Sequence, residues 1–289
     1  KKDKKQMAAT AKDLGIIAAV ISVVVLLAYA ANGIFPFGEH SIARGDMVQQ
    51  TIPNGMYYMW DVLHGKASPF FTWNSALGMD ISGAASLSSI LCPLNLLLYL
   101  CPRGVLYYYA NIFILLKMIG LAFAMYFYLR KYKIPSIVPI LGSALYAFGA
   151  ASLVHFQIML VMDAALFLPL LMIGLDRLME KKKSRFFIIV LAWAMISNVY
   201  TGAILCIFLF FTSGLRIFLA SEGKRSDQKE TVLRLFVAVV AGCLLSAVIT
   251  IPALNGISNT SRTQTGGFLQ TYQTAVKATE HIADAGVVG

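Results

Sequence analysis

Ala43-Arg44-Gly45-Asp46 sets a guanidinium and a carboxylate two residues apart, a few residues beyond the first long apolar run. A charged, aromatic-rich loop on so apolar a protein is where chemistry would sit, and this motif opens it. Asp46 also suits a plainer task, as N-cap of a helix over Met47 to Gln50. Arg44 and Arg103 flank the loop and could bind phosphate, with lipid-headgroup anchoring as the alternative for each. Lys117 falls near the middle of an apolar run, and Asp163 near the end of another. An ionisable group at such depth is a functional candidate by default or else has a partner. For Lys117 that partner would be a buried carboxylate or helix carbonyls. For Asp163 the choice lies between supporting or acceptor-binding duty and simple pairing. His40, His64, His155 and His281 all fall on the external side of the topology drawn below; His64 is kept as a binding candidate beside the plain reading of scattered surface histidines. There is no CxxC or HExxH metal spacing, no phosphate-cradling Walker loop and no GxSxG serine elbow.

The elements that must position these residues are membrane spans. Hydrophobic residues make up 58% of the chain and charged ones 13%, with a mean hydropathy of +0.71, too apolar for a soluble domain. The net charge of +10 is no nucleic-acid signature, because Lys and Arg punctuate apolar runs instead of clustering on one face. Seven apolar segments approach the length of about 20 residues that a crossing helix requires. They are Leu14 to Phe35, Val105 to Leu129, Ile134 to Val154, Gln157 to Leu175, Phe186 to Asn198, Thr201 to Leu219 and Leu235 to Ile251. The 34 residues from Phe186 to Leu219 are too many for one upright span and few for two. A single span would separate Lys224, Arg225, Lys229 and Arg234 from Lys181, Lys182, Lys183 and Arg185. A tight hairpin turning at Ser197 to Gly202 keeps both basic clusters on one side.

With the amino terminus inside, 18 of the 24 Lys and Arg are cytoplasmic. Five (Arg44, Lys66, Arg103, Arg262 and Lys277) are external, and Lys117 is mid-span. The expectation is thus a multi-pass protein of the plasma membrane, with a basic cytoplasmic terminus at 1–13 and a first span at 14–35. An external loop covers 36–104, six further spans 105–254 and an external segment 255–289. Ala28-Tyr29-Ala30 resembles a signal-peptidase site, so a cleaved signal competes with the anchored first span. The absence of an initiator methionine and the polar ending suggest a piece of something longer. Pro139 and Pro169 inside spans are candidate kinks, and Gly142, Gly149, Gly174 and Gly202 give small faces suited to close packing. Cys92 and Cys101 could form an external disulfide; two unpaired small hydrophobes are favoured.

Within the loop, Asp46 to Gly65 carries Met47, Ile52, Met56, Met59, Trp60 and Leu63 at rough helical spacing, interrupted by Pro53, which predicts an interfacial helix. Leu87 to Leu100, broken at Pro93, predicts a second. The Tyr107-Tyr108-Tyr109 run reads as an interfacial aromatic belt.

From about Ile34 to Leu254 the chain resembles the YfhO-type bacterial membrane proteins of the GT-C glycosyltransferase superfamily. The resemblance is carried by Pro36-Phe37-Gly38, Gly45-Asp46, Gln49-Gln50, Ile52-Pro53, Leu63-His64-Gly65-Lys66 and Pro93-Leu94-Asn95-Leu96-Leu97. It continues through Leu115-Leu116-Lys117, Met162-Asp163-Ala164-Ala165, Leu168-Pro169-Leu170 and Asn198-Val199-Tyr200-Thr201-Gly202. It implies an all-α polytopic protein with a seven-helix module and two interfacial helices in the first external loop, bearing an early acidic residue. It also implies transfer of a sugar from a polyprenyl-phosphate donor to a cell-envelope polymer such as teichoic acid, with membrane lipids as surroundings and no nucleic acid. Phosphate is already a good leaving group, so such transfer needs a base for the acceptor hydroxyl and cations for the departing phosphate. Asp46 is the candidate base and Arg44, Arg103, Lys117, Asp163 and His64 the candidate binding residues. Inversion would follow from one direct displacement without a nucleophilic second carboxylate. A divalent metal is possible but no cofactor is certain. A non-catalytic partner of envelope glycosylation and a lipid or solute transporter are the other function classes. Apart from Lys117, however, the spans carry few of the polar groups that a transport path requires.

The charge asymmetry makes a direct prediction. Single cysteines placed at Ser68 and Ser261 should react with an impermeant thiol reagent from outside, and one at Ser226 should not. Labelling at Ser226 from outside would overturn the orientation.

Overall fold

The computed structural model describes residues 2–68, 71–73, 79–80, 92, 94–132, 134–180, 183–219 and 225–258. Residues 87–91 and 93 of the predicted helix Leu87 to Leu100, and the segment from 259 onward with Arg262, Lys277 and His281, lie outside the described residues; the described end of that predicted helix is a short 3₁₀ turn at Asn95–Leu100.

The chain is an all-α polytopic membrane protein. Its first helix, α1 (Lys2–Ala31), buries Ile17, Ile21, Val25 and Tyr29, one residue in four, while Val20, Val23, Val24 and Leu27 are exposed. That single narrow stripe seats one face on the bundle and leaves the others for hydrocarbon. A wide helix of i→i+5 type (Met47–Tyr57) runs on into α2 (Tyr58–Leu63), so one continuous helical stretch fills the predicted interfacial segment. Pro53 does not interrupt it. Proline has no amide hydrogen for the ordinary i→i−4 bond, and the turn that contains it is the wider one. Then come a two-residue antiparallel pairing of β1 (Phe71–Thr72) with β2 (Met79–Asp80) and short 3₁₀ turns at Asn95–Leu100 and Arg103–Val105.

The remaining helices are α3 (Leu106–Leu129), α4 (Ile137–Ala147), α5 (Ala150–Leu153), α6 (Met159–Met179), α7 (Arg185–Ser197), α8 (Val199–Leu219) and α9 (Arg225–Ser258). Among the described residues five helices, α1, α3, α6, α8 and α9, are long and apolar enough to cross a membrane. Two of the seven predicted segments are shorter. The stretch predicted from Ile134 breaks at Phe148 and Gly149, where Gly149 is extended and α5 restarts. Helix α7 has 13 residues, about 20 Å of rise against roughly 30 Å of hydrocarbon. The chain turns between α7 and α8 at Asn198, inside the predicted hairpin. Asn198 is extended, and its side-chain oxygen accepts the Thr201 amide at 3.0 Å, so it caps α8.

Helices α3 and α6 form the centre. Half of the apolar window of α3 (50%) and 61% of that of α6 is buried, against 22% or less for α1, α8 and α9. Helix α3 packs on α1, α4 and α6, while α7 bridges α6 to α9. The α6–α7 contact is close because Gly174 faces Phe187. A Cβ on Gly174 would lie 2.9 Å from the Phe187 Cα and 3.0 Å from its Cβ.

Gly174→Val should therefore force α6 and α7 apart and cost about 1–3 kcal/mol. Gly214→Ala, at a helical glycine with open space around it, should be neutral or slightly stabilising. Thermal unfolding of the detergent-purified protein reads both, and equal midpoints for the two variants would refute the close-contact account.

Candidate functional site

The Arg44-Gly45-Asp46 motif is held by a buried asparagine. After α1, the chain folds back on itself through Ile34 N–H to Tyr29 O (2.9 Å), Phe35 N–H to His40 O (2.8 Å) and His40 N–H to Gly33 O (3.0 Å). Asn111 of α3, fully buried, then takes hold of it. Its Oδ1 accepts from the Ser41 hydroxyl and the Ile42 amide, both at 3.0 Å, and its Nδ2 donates to Phe35 O at 3.3 Å. The Tyr29 hydroxyl donates to the Asn111 carbonyl at 3.0 Å, tying α1 into the same clamp. Ala43 and Met47 are buried on either side, whereas Arg44 and Asp46 are exposed. The clamp thus fixes the backbone while two charged side chains face outward.

Gly45 makes the turn between them with φ +48°, a left-handed conformation that disfavours side chains. A Cβ there would also lie 2.5 Å from Gln157 Oε1. The connection between α5 and α6, which carries Gln157 and His155, therefore closes against the motif. Asp46 stands at the amino end of the helical stretch that starts at Met47. Its position fits both readings made for it, because a helix amino end attracts carboxylate charge and leaves that carboxylate at the protein surface.

Lys117 and Asp163 prove to be each other's partner. Lys117 Nζ lies 2.7 Å from Asp163 Oδ1, and both side chains are 1% exposed. Lys117 also donates to Met159 O at 3.3 Å and sits 5.2 Å from the centroid of the Phe113 ring. Asn95 Nδ2 donates to Asp163 Oδ2 at 3.2 Å, so the pair reaches out to the loop's second half. Cys92 is buried beside it, and burial together with the Asp163 charge pushes its thiol pKa well above the ordinary value. At this burial the two charges act on the loop by anchoring the turn Asn95–Leu100 to α3 and α6.

Arg103 is engaged as well. It forms a two-pronged bond with Asp61 of α2, Nε to Oδ1 at 2.8 Å and Nη2 to Oδ2 at 2.9 Å, and stands 5.0 Å from the Tyr57 ring centroid. Its guanidinium holds the Asp61 carboxyl below the usual carboxylate range. His64 stacks on Trp60 at 3.6 Å, with Nδ1 2.7 Å from Trp60 O, and Lys66 lies 4.8 Å from the centre of the same indole. Trp60 Nε1 donates to Cys101 O at 2.9 Å. Arg103 and His64 thus belong to a cluster that braces α2 against the end of the loop, away from the Arg44-Asp46 turn in the network of contacts. All four cysteines are free thiols. Among the described residues no group of three or more His, Cys, Asp and Glu side chains could hold a metal ion.

Asn111, Gln157, Asn95 and Asp61 escaped sequence reasoning. Asn111 had a signal: a polar amide inside an apolar run needs hydrogen-bond partners. Gln157 had none, because its proximity to Gly45 is set by packing across more than a hundred residues.

The buried pair predicts strong coupling. Lys117→Met or Asp163→Asn alone should cost about 3–5 kcal/mol, since each strands a charge in the bundle. Lys117→Met combined with Asp163→Leu should lie closer to the wild type than either single variant. Thermal unfolding of the four proteins measures this, and simple additivity would show the pair to be uncoupled.

No curated protein and no solved structure matches the chain. The model of the family described as bacterial membrane protein YfhO matches residues 17–288, nearly the whole chain, and with its apolar helices around one clamped polar loop the chain belongs to that family.

Proposed function

We propose that this protein is a GT-C-type membrane glycosyltransferase that moves a sugar from a polyprenyl-phosphate donor to an extracellular cell-envelope polymer such as teichoic acid. The observation that carries the reading is the presentation of Asp46 and Arg44. Both are exposed, at opposite sides of a glycine turn whose flanks are buried and clamped by Asn111. Arg103 is committed to Asp61, whereas Arg44 forms no ion pair among the described residues. Membership of the YfhO family is compatible with this chemistry.

In this mechanism Asp46 accepts the proton of the acceptor hydroxyl as its oxygen forms a bond to the anomeric carbon. The bond from that carbon to the donor phosphate oxygen breaks, and the phosphate leaves with the electron pair, neutralised by Arg44. The displacement inverts the anomeric centre. A donor phosphate stays wet at headgroup depth while its prenyl tail lies among the spans, because only that placement keeps charge hydrated and hydrocarbon dry. The loop is external and the amino terminus cytoplasmic. A transport path draws no support from Lys117, whose charge is already met by Asp163.

Asp46→Asn keeps size and capping ability but cannot accept a proton at neutral pH. It should lower transfer by about 10²–10⁴-fold with membrane insertion intact. Arg44→Ala should weaken donor use by about tenfold or more, beyond the effect of Arg103→Ala, with Arg44→Lys retaining part of the function. The assay is purified full-length protein given a polyprenyl-phosphate sugar or a nucleotide sugar. Normal transfer by Asp46→Asn would remove the base, turnover with the nucleotide sugar alone would sink the lipid donor, and equal Arg variants would sink the assignment of Arg44.

A further inference from the structure

At the end of the bundle opposite the Arg44-Asp46 turn, a cavity of about 550 Å³ opens between the last turns of α3 and α6 and the first turn of α7. Its walls change character along α6. Leu170 and Ile173 line the deeper part together with Phe127 of α3, while Arg177 and Glu180 stand at the mouth with Arg130 and Lys131. Residues 170, 173, 177 and 180 share one helical face, so the gradient from apolar to charged runs over about 15 Å. Phe186 of α7 closes the side, its ring centroid 5.0 Å from the Arg177 guanidinium.

The cations at the mouth are not alike. Arg130 pairs with Asp13 at 3.0 Å, and Lys131 with Asp176 at 3.2 Å and Glu180 at 2.7 Å; Arg216 pairs with Asp176. Arg130, Lys131 and Arg216 thus each have a carboxylate, whereas Arg177 forms no ion pair among the described residues. The first-turn amides of α7 also start here, and Ser184 gives them no side-chain cap. They offset in part the negative carbonyl ends of α3 and α6.

A guanidinium without an ion-pair partner among the described residues, above an apolar trough, matches an amphiphile with a phosphodiester charge. We propose that this cavity binds an anionic glycerophospholipid of the leaflet opposite the Asp46 loop. The phosphodiester pairs with Arg177 at the mouth and the first acyl carbons lie along Leu170, Ile173 and Phe127. Phe186 holds the guanidinium through its ring face. A free phosphate ion would leave the apolar part empty, so the occupant is the lipid. The proposal is independent of glycosyl transfer.

The test uses purified full-length protein in mild detergent, titrated with dioctanoyl phosphatidylglycerol, dioctanoyl phosphatidylcholine or inorganic phosphate, with retained ligand counted by native mass spectrometry. The anionic lipid should be retained over the zwitterionic one. Arg177→Gln should lower that retention about fivefold. Leu170→Trp, which fills the apolar part and leaves every charge in place, should lower it as well. Arg234→Gln, a change at a distant cation paired with Glu230 on α9, should leave it unchanged. Thermal unfolding midpoints near that of the wild type establish that the variants are folded, and either cavity variant alone suffices as a test. Equal retention of the two lipids, undiminished retention by the folded variants, or full displacement of the lipid by inorganic phosphate would overturn the proposal.

Discussion

A lysine and an aspartate meeting at 2.7 Å in the middle of a bundle set the terms for the loop that carries the candidate site. Neither charge is tolerable alone at that depth, so α3 and α6 are obliged to stay in register. The remaining acceptor capacity of Asp163 goes to Asn95, which belongs to the loop. The loop's second half is therefore tied to the two most buried helices by a bond whose loss would leave polar atoms unsatisfied. Asn111, two turns earlier on α3, does the same for the loop's beginning. The two central helices thus hold the loop near both of its ends, α3 through Asn111 and α6 through Asp163, and the cost of leaving amides unpaired away from water is what enforces it.

Buried anchors and exposed chemistry are separated by only a residue or two. Ala43 and Met47 are packed, while Arg44 and Asp46 between them are exposed. A carboxylate on a mobile loop would lose the advantage of position, and one buried like Asp163 is closed to solvent. The glycine turn at Gly45, pressed against Gln157, holds the two side chains outside while the backbone on either side is fixed. The contrast with Arg103 is instructive. It is an exposed cation of the same loop, yet its planar fork is filled by Asp61, so its charge serves the internal bracing of α2.

The sequence was most legible where a one-dimensional signal suffices. Apolar length marked α1, α3, α6, α8 and α9, and the basic clusters at both ends of the 186–219 stretch called for a turn, which the structure has at Asn198. It was least legible where the deciding contact is remote in the chain. Lys117 could be recognised as costly, but not which of several carboxylates meets it, since Asp163 lies 46 residues away. Arg103 and Asp61 are 42 residues apart, so phosphate binding and bracing looked alike on paper. Local chemistry misled at Pro53, where a break was expected and a wider helical turn carries the chain through. At Gly149 the same rules under-read the chain, because a single extended glycine divides a run that composition alone makes continuous.

The two ends of the bundle use their ion pairs differently. At the far end, Asp13, Asp176 and Glu180 are matched against Arg130, Lys131 and Arg216, so that helix ends are stapled together. At the loop end, neutralisation is confined to what is buried or braces α2, and Arg44 is left without such a match among the described residues. A bundle that paired every cation at both ends would gain little stability, since exposed ion pairs contribute about 0–1 kcal/mol each. Leaving one guanidinium exposed therefore costs the fold almost nothing. It leaves at the Gly45 turn, beside Asp46, a cation that no carboxylate among the described residues has claimed in an ion pair.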